Sequence, residues 1–192
     1  MRLRDEKKRK LIVQTAIRLF SEQPFHKVRL DDVADAAGVG KGTVYIYFKN
    51  KEELYYSLIY EGMSELIERL RARIAQRPTS YRENFLAIIE GLADHAIRQP
   101  QFFEVIRTVA IPDSSSPWDA KRRELAELME EVIRQGVAAG EFVDPHPDRT
   151  AKYFMAMGRA VMLYGSKITE AKDLAGHIGS TLLGGIAVKK SS

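Results

Sequence analysis

Residues 30–51 read LDDVADAAGVGKGTVYIYFKNK. Leu30, Val33, Ala34 and Ala37 recur at the spacing of one helical face. Gly38 ends that helix, because the residue closing an α-helix commonly takes a positive φ, where glycine has no steric penalty. Gly40 can open a second helix over 41–48. On it Val44 and Phe48, four apart, point inward, while Thr43 and Tyr47, also four apart, lie on an adjoining face that points out. Ala34 is small enough to let the two helices approach closely. Two short helices joined by a tight turn are the build of a helix-turn-helix, whose second helix enters the major groove of DNA.

Asp32-Val33-Ala34, the turn Ala37-Gly38-Val39, Lys41-Gly42-Thr43-Val44-Tyr45, Tyr47-Phe48 and Lys49-Asn50-Lys51-Glu52-Glu53-Leu54 together form a pattern. It resembles the DNA-binding domain of the TetR family of transcriptional regulators. With the preceding helix, the likeness covers the first quarter of the chain; the remainder is similar in length and helical layout only. The resemblance implies an all-α fold with a helix-turn-helix domain over 1–50 and a larger helical effector-binding and dimerisation domain over 51–192. It also implies a homodimer on a palindromic operator in double-stranded DNA, most simply a repressor released by an unknown small-molecule effector. The competing reading is a non-specific or architectural DNA-binding protein with the same fold and no effector. An enzyme carrying a DNA-binding-like N-terminus is the remote third.

Charge agrees with the DNA-binding reading. The net charge of +4 is unevenly placed. Residues 1–51 hold 12 Lys/Arg and 6 Asp/Glu, whereas residues 52–192 hold 18 and 20. A basic first quarter on a near-neutral body is the footprint of an N-terminal nucleic-acid module. With 29% charged and 45% apolar residues, the 192-residue chain reads as soluble and globular. It has no cysteine, which excludes disulfides and thiolate chemistry and fits a cytoplasmic location. No apolar run reaches the roughly 20 residues of a membrane span.

Read in order, the chain gives helices throughout, about nine in all. The first, over 5–22, buries Ile12, Ala16, Leu19 and Phe20, with Lys7, Lys8, Arg9 and Lys10 able to reach phosphates. Arg29 stands at the capping position of the second helix, where it cannot accept an amide hydrogen bond. Asp31, beside it, is repelled by phosphate, so the second helix is expected to contribute few DNA contacts beyond Arg29. Asn50 and Glu53 form a capping box that opens a fourth helix running to about Gln76. No linker separates the two domains, so this helix joins them. Further helices are expected over 81–98, from Pro100, over 117–139 after the loop IPDSSSP, over 147–166 and over 169–188.

The N-terminal half of the recognition helix meets base edges. Lys41 and Thr43 are the base-reading candidates, since lysine donates to guanine O6 or N7 and threonine meets a thymine methyl. Gly42 permits close approach. Tyr47 and Lys51 suit phosphate oxygens, as does Tyr45, for which packing against the first helix is an equal alternative. By resemblance these positions match DNA contacts in the family. Gly40-Lys41-Gly42-Thr43 is not a phosphate loop: Asp35 replaces the required first glycine and Gly42 the required Ser or Thr.

No catalytic or metal-binding constellation stands out, and no cofactor is expected. His26, His95, His146 and His177 are dispersed, and His95 on the fifth helix reads as a core histidine. In the second domain, Phe85, Ile89, Phe102, Phe103, Ile106, Met129 and Phe154 supply the bulky apolar groups of an effector pocket or of plain core, which composition cannot separate. Ala156 and Ala160 on the eighth helix, and Gly176, Ser180 and Gly184 on the ninth, make rows of small residues. Such rows let helices come close, and the resemblance assigns them to the dimer interface.

Overall fold

The computed structural model describes residues 2–76, 80–108, 117–164 and 171–186. Among these the chain is all helical: α1 Arg2–Glu22, α2 Leu30–Ala37, α3 Lys41–Tyr47, α4 Lys51–Ala75, α5 Tyr81–Arg98, α6 Pro100–Thr108, α7 Pro117–Ala138, α8 Pro147–Tyr164 and α9 Ala171–Ile186. A 3-10 turn, Phe25–Lys27, which the sequence pattern did not signal, follows α1. Most of the loop over 111–117 and the side chains of Phe103, Trp118 and Ala160 lie outside the described residues.

By packing, the chain divides into two compact units. The first joins residues 1–62 to 101–118; the second joins 63–100 to 119–192. This division falls elsewhere than the 1–50 and 51–192 expected from sequence. Its physical basis in the first unit is α6, which packs on the N-terminal half of α4. The Tyr55 hydroxyl donates to the Val105 carbonyl at 3.2 Å. The Phe102 ring fills the notch at Gly62, where a Cβ would stand 2.2 Å from Phe102 Cε2.

In the first unit Ile12, Ala16, Val33, Ala34, Val44, Leu54 and Leu58 are completely buried. Phe20, Phe25 and Tyr55 form an aromatic cluster with ring centroids 4.8 to 5.7 Å apart. Arg9 ties α1 to α4 by donating to Ser57 Oγ at 2.9 Å and to the Glu61 carboxylate, and it lies over the Phe48 ring. Glu61 holds the Arg9 guanidinium above its ordinary pKa. Arg9 is therefore a structural strut, while Lys7, Lys8 and Lys10 remain exposed.

In the second unit Phe85 meets Phe142 and Phe154 at 6.2 and 6.4 Å. Leu125, Met129, Val132 and Ile133 line the buried face of α7. Two glycines set close approaches here. A Cβ at Gly91 would lie 2.4 Å from Leu70 Cδ2, and one at Gly136 would lie 2.2 Å from the Phe142 ring.

Candidate nucleic-acid interface

The turn before the recognition helix forms as its glycines dictate. Gly38 takes φ 64°, and the Val39 N–H donates to the Ala34 carbonyl at 3.0 Å, closing α2. The opening of α2 is not capped by the Arg29 side chain, which accepts nothing. The Asp32 carboxylate instead accepts the Arg29 N–H at 2.8 Å. Asn50 caps α4 as expected, its Oδ1 accepting the Glu53 N–H at 2.7 Å, while the Glu53 carboxylate accepts the N–H of Lys49, one residue ahead of the cap, at 2.7 Å.

Val44 on α3 and Phe48 at its C-terminal cap anchor the helix in the core. Lys41, Gly42, Tyr45 and Ile46 are exposed, and Thr43 and Tyr47 are half-buried. Tyr45 is 51% exposed, which disfavours packing against α1. Nothing stands within 4 Å of a Cβ built at Gly42, so this face of the helix is open.

Three of the candidate DNA contacts carry partners that linear spacing could not reveal. Lys41 Nζ donates to Asp31 Oδ2 at 2.8 Å, and the Arg29 guanidinium lies 3.9 Å from the same oxygen. The Lys41 hydrogen bond holds the Asp31 carboxyl below the usual carboxylate range, and Asp31 raises Lys41 in return. The Tyr47 hydroxyl donates to Asp5 Oδ1 at 2.6 Å, and this bond pushes the phenol pKa up. Lys51 Nζ donates to the Phe25 carbonyl at 2.8 Å and lies 4.3 Å above the Phe25 ring.

One exposed group was missed. Ile46 is 79% exposed on the recognition helix. Its signal in the sequence is its place four residues after Gly42, on the open face.

In the second unit the described members of the small-residue rows face outward. Gly176, Ser180 and Gly184 are exposed on α9, and Ala156 is exposed on α8 beside Tyr153. The opposite side of α9 packs on α5, where a Cβ at Gly179 would lie 2.9 Å from Leu86 Cδ2.

The described apolar pocket candidates are divided between the two units. Phe85, Ile89, Met129 and Phe154 are buried in the second unit, and Phe102 and Ile106 are buried in the first. The side chain of Phe103 lies outside the described residues. A half-open pocket of about 290 Å³ lies between α4 and α5, lined in part by Leu66, Leu70, Arg69, Arg73, His95 and Arg98. Arg73 donates to Glu90 at 2.7 Å and to Asp94 at 3.1 Å, while Arg98 is exposed at the lip. Burial, chiefly, and then Arg69 lower the His95 pKa, with Glu65 opposing. Among the described residues no group of His, Asp or Glu is arranged to hold a metal ion. None of the described helices is long and apolar enough to cross a membrane.

An N-terminal helix-turn-helix with an open recognition face, followed by a helical second unit, defines a DNA-binding transcriptional regulator. The chain belongs to the tetR family of bacterial regulatory proteins: residues 12–58 match its DNA-binding domain and residues 68–163 match a tetracyclin repressor-like C-terminal domain. This is a family of regulators, not of enzymes. The chain is similar to the fatty acid metabolism regulator protein of Bacillus subtilis, at 26% identity over 73% of this chain and 74% of the relative. Its fold matches the fatty acid degradation regulator FadR of Bacillus halodurans with a TM-score of 0.82 and 21% identity, covering 93% and 95% of the two chains. It also matches FadR of Bacillus subtilis, solved in complex with stearoyl-CoA, with a TM-score of 0.76 and 18% identity over 89% and 97%.

Proposed function

We propose that this regulator binds a palindromic operator as a homodimer and acts as a repressor released by a small-molecule effector, in the cytoplasm. The observation that carries the reading is the anchored but open recognition helix: Val44 and Phe48 are buried while Lys41, Gly42, Tyr45 and Ile46 face out. Lys41, Thr43 and Ile46 read bases, with Ile46 suited to a thymine methyl. Arg29, Tyr45, Tyr47 and Lys51 hold the sugar-phosphate backbone.

The exposed row Gly176, Ser180 and Gly184, with Ala156 on α8, supports a helix-on-helix dimer contact. The arginine-lined pocket between α4 and α5 is the proposed effector seat. Arg69 and Arg73 are paired with Glu65, Glu90 and Asp94, so an anionic group would be met by Arg98 at the lip; acyl-CoA is the first class to test because a fold neighbour was solved with stearoyl-CoA. Its wall is α4, which runs unbroken from Lys51 to Ala75 and begins at the recognition unit. A ligand that repacks this helix changes the spacing of two recognition helices, which must fit grooves about 34 Å apart.

The test is a titration of the operator-bound protein with stearoyl-CoA and with coenzyme A alone. Release of DNA by about 1–3 kcal/mol of coupling, with reciprocal weakening of ligand binding by the operator, supports the mechanism. Tight ligand binding with unchanged operator affinity defeats it.

A further inference from the structure

Lys41 is the first residue of the recognition helix, and its ammonium is not free in the folded protein. It donates to Asp31 Oδ2 at 2.8 Å, and Arg29 stands 3.9 Å from that same oxygen. The Asp31 side chain is 27% exposed, against 58% for Lys41 and 76% for Arg29. The carboxylate is therefore sheltered between two cations that protrude beyond it.

We propose that Asp31 is a specificity-determining residue: by holding the Lys41 ammonium it withholds that charge from phosphates and presents the remaining N–H donors to a base edge. The proposal rests on the operator-binding reading and adds to it a role for an acidic residue that α2 would otherwise carry at a loss near DNA.

Non-specific affinity comes from lysines and arginines that neutralise phosphates and release counterions. A lysine already neutralised by a carboxylate releases fewer. An ammonium has three donors, so one spent on Asp31 leaves two, enough for guanine O6 and N7. The carboxylate repels phosphate oxygens, which carry full charge, more strongly than it repels guanine acceptors, which do not. An exposed ion pair of this kind is weak, so it reorients readily while still biasing where the ammonium points. Asp31 thus acts through Lys41, as a positioning residue.

The probes are a duplex site enriched by the wild-type protein from a random-sequence library and a scrambled duplex of equal length. Affinities are measured for the wild type, Asp31→Asn, Asp31→Glu, Lys41→Met and the Asp31→Asn/Lys41→Met double variant across a series of salt concentrations. For Asp31→Asn we expect scrambled-duplex affinity to rise and discrimination to fall by about five- to tenfold. The salt slope on the scrambled duplex should steepen by about 0.9, the value of one added phosphate contact. Asp31→Glu, which keeps the charge, should retain most of the discrimination. In the Lys41→Met background, Asp31→Asn should no longer change discrimination. Equal gains on both duplexes, no change on either, or the same loss of discrimination without Lys41 would each overturn the role of Asp31. Failure of the wild type to enrich any site would overturn the regulator reading itself.

Discussion

The Tyr47 hydroxyl donates to the carboxylate of Asp5 at 2.6 Å, joining the recognition helix to the start of the chain across 42 residues. The same oxygen lies 3.2 Å from the Asp5 carbonyl. The bond spends the single hydroxyl proton on Asp5, so the proposed phosphate contact requires Tyr47 to exchange Asp5 for a phosphate oxygen, and it keeps the phenol protonated to higher pH than usual. Tyr47→Phe should weaken operator and scrambled DNA alike, by about two- to tenfold, because it removes one backbone hydrogen bond. The melting temperature should barely move. A loss confined to the operator would instead place Tyr47 among the base readers.

Lys51 has a structural role beside any phosphate contact. Its ammonium donates to the Phe25 carbonyl and covers the Phe25 ring. Lys51→Met should destabilise the DNA-free protein by about 1–2 kcal/mol, read by thermal or urea unfolding. A variant with unchanged stability but weaker DNA binding would show that phosphate contact is its whole role.

Phe102 is seated against Gly62, with no room for a Cβ. Gly62→Ala should destabilise by about 1–3 kcal/mol through overpacking. Phe102→Ala should cost about 3–5 kcal/mol as a deleted core side chain. Combined with the smaller side chain of Phe102→Leu, Gly62→Ala should be better tolerated than alone. Additive losses in the double variant would mean that the two positions do not compete for the same space.

His95 gives the fold a pH dependence near neutrality. Its folded pKa lies below the unfolded value of about 6.5, chiefly because burial disfavours the charged ring. The unfolded chain therefore binds the proton first. Stability is fully present above about pH 6.5 and is lost as pH falls below it towards the folded pKa. The lowered carboxylates, Asp31 and Asp148, act only below their own ordinary range and leave this window to His95. Melting temperature should drop between pH 7 and 5.5 in the wild type and less in His95→Gln. Parallel curves would remove His95 as the cause.

The sequence spoke most clearly where partners are close along the chain. Val44 and Phe48, Gly38 at the turn, and Asn50 with Glu53 are separated by three or four residues or by one backbone angle, and all take their expected places. The pairings that change the site are long-range. Arg9 with Glu61, Tyr47 with Asp5, Lys51 with Phe25 and Phe102 with Gly62 lie 26 to 52 residues apart or depend on where a ring packs. Helical periodicity assigns a face to each of these residues but cannot name the group across from it. The apolar candidates from Phe85 to Phe154 show the same limit: periodicity marks those side chains as inward and the described ones are buried, but neither observation separates core from pocket wall.

The most direct test of the central claim is equilibrium binding of the wild-type protein to its enriched site and to a scrambled duplex at one fixed salt concentration. A sequence-specific regulator should prefer the enriched site by about a thousandfold or more, and that site should be a palindrome with half-sites about one helical turn apart or a multiple of it. Equal affinity for the two duplexes, with no palindrome recovered, would contradict the account.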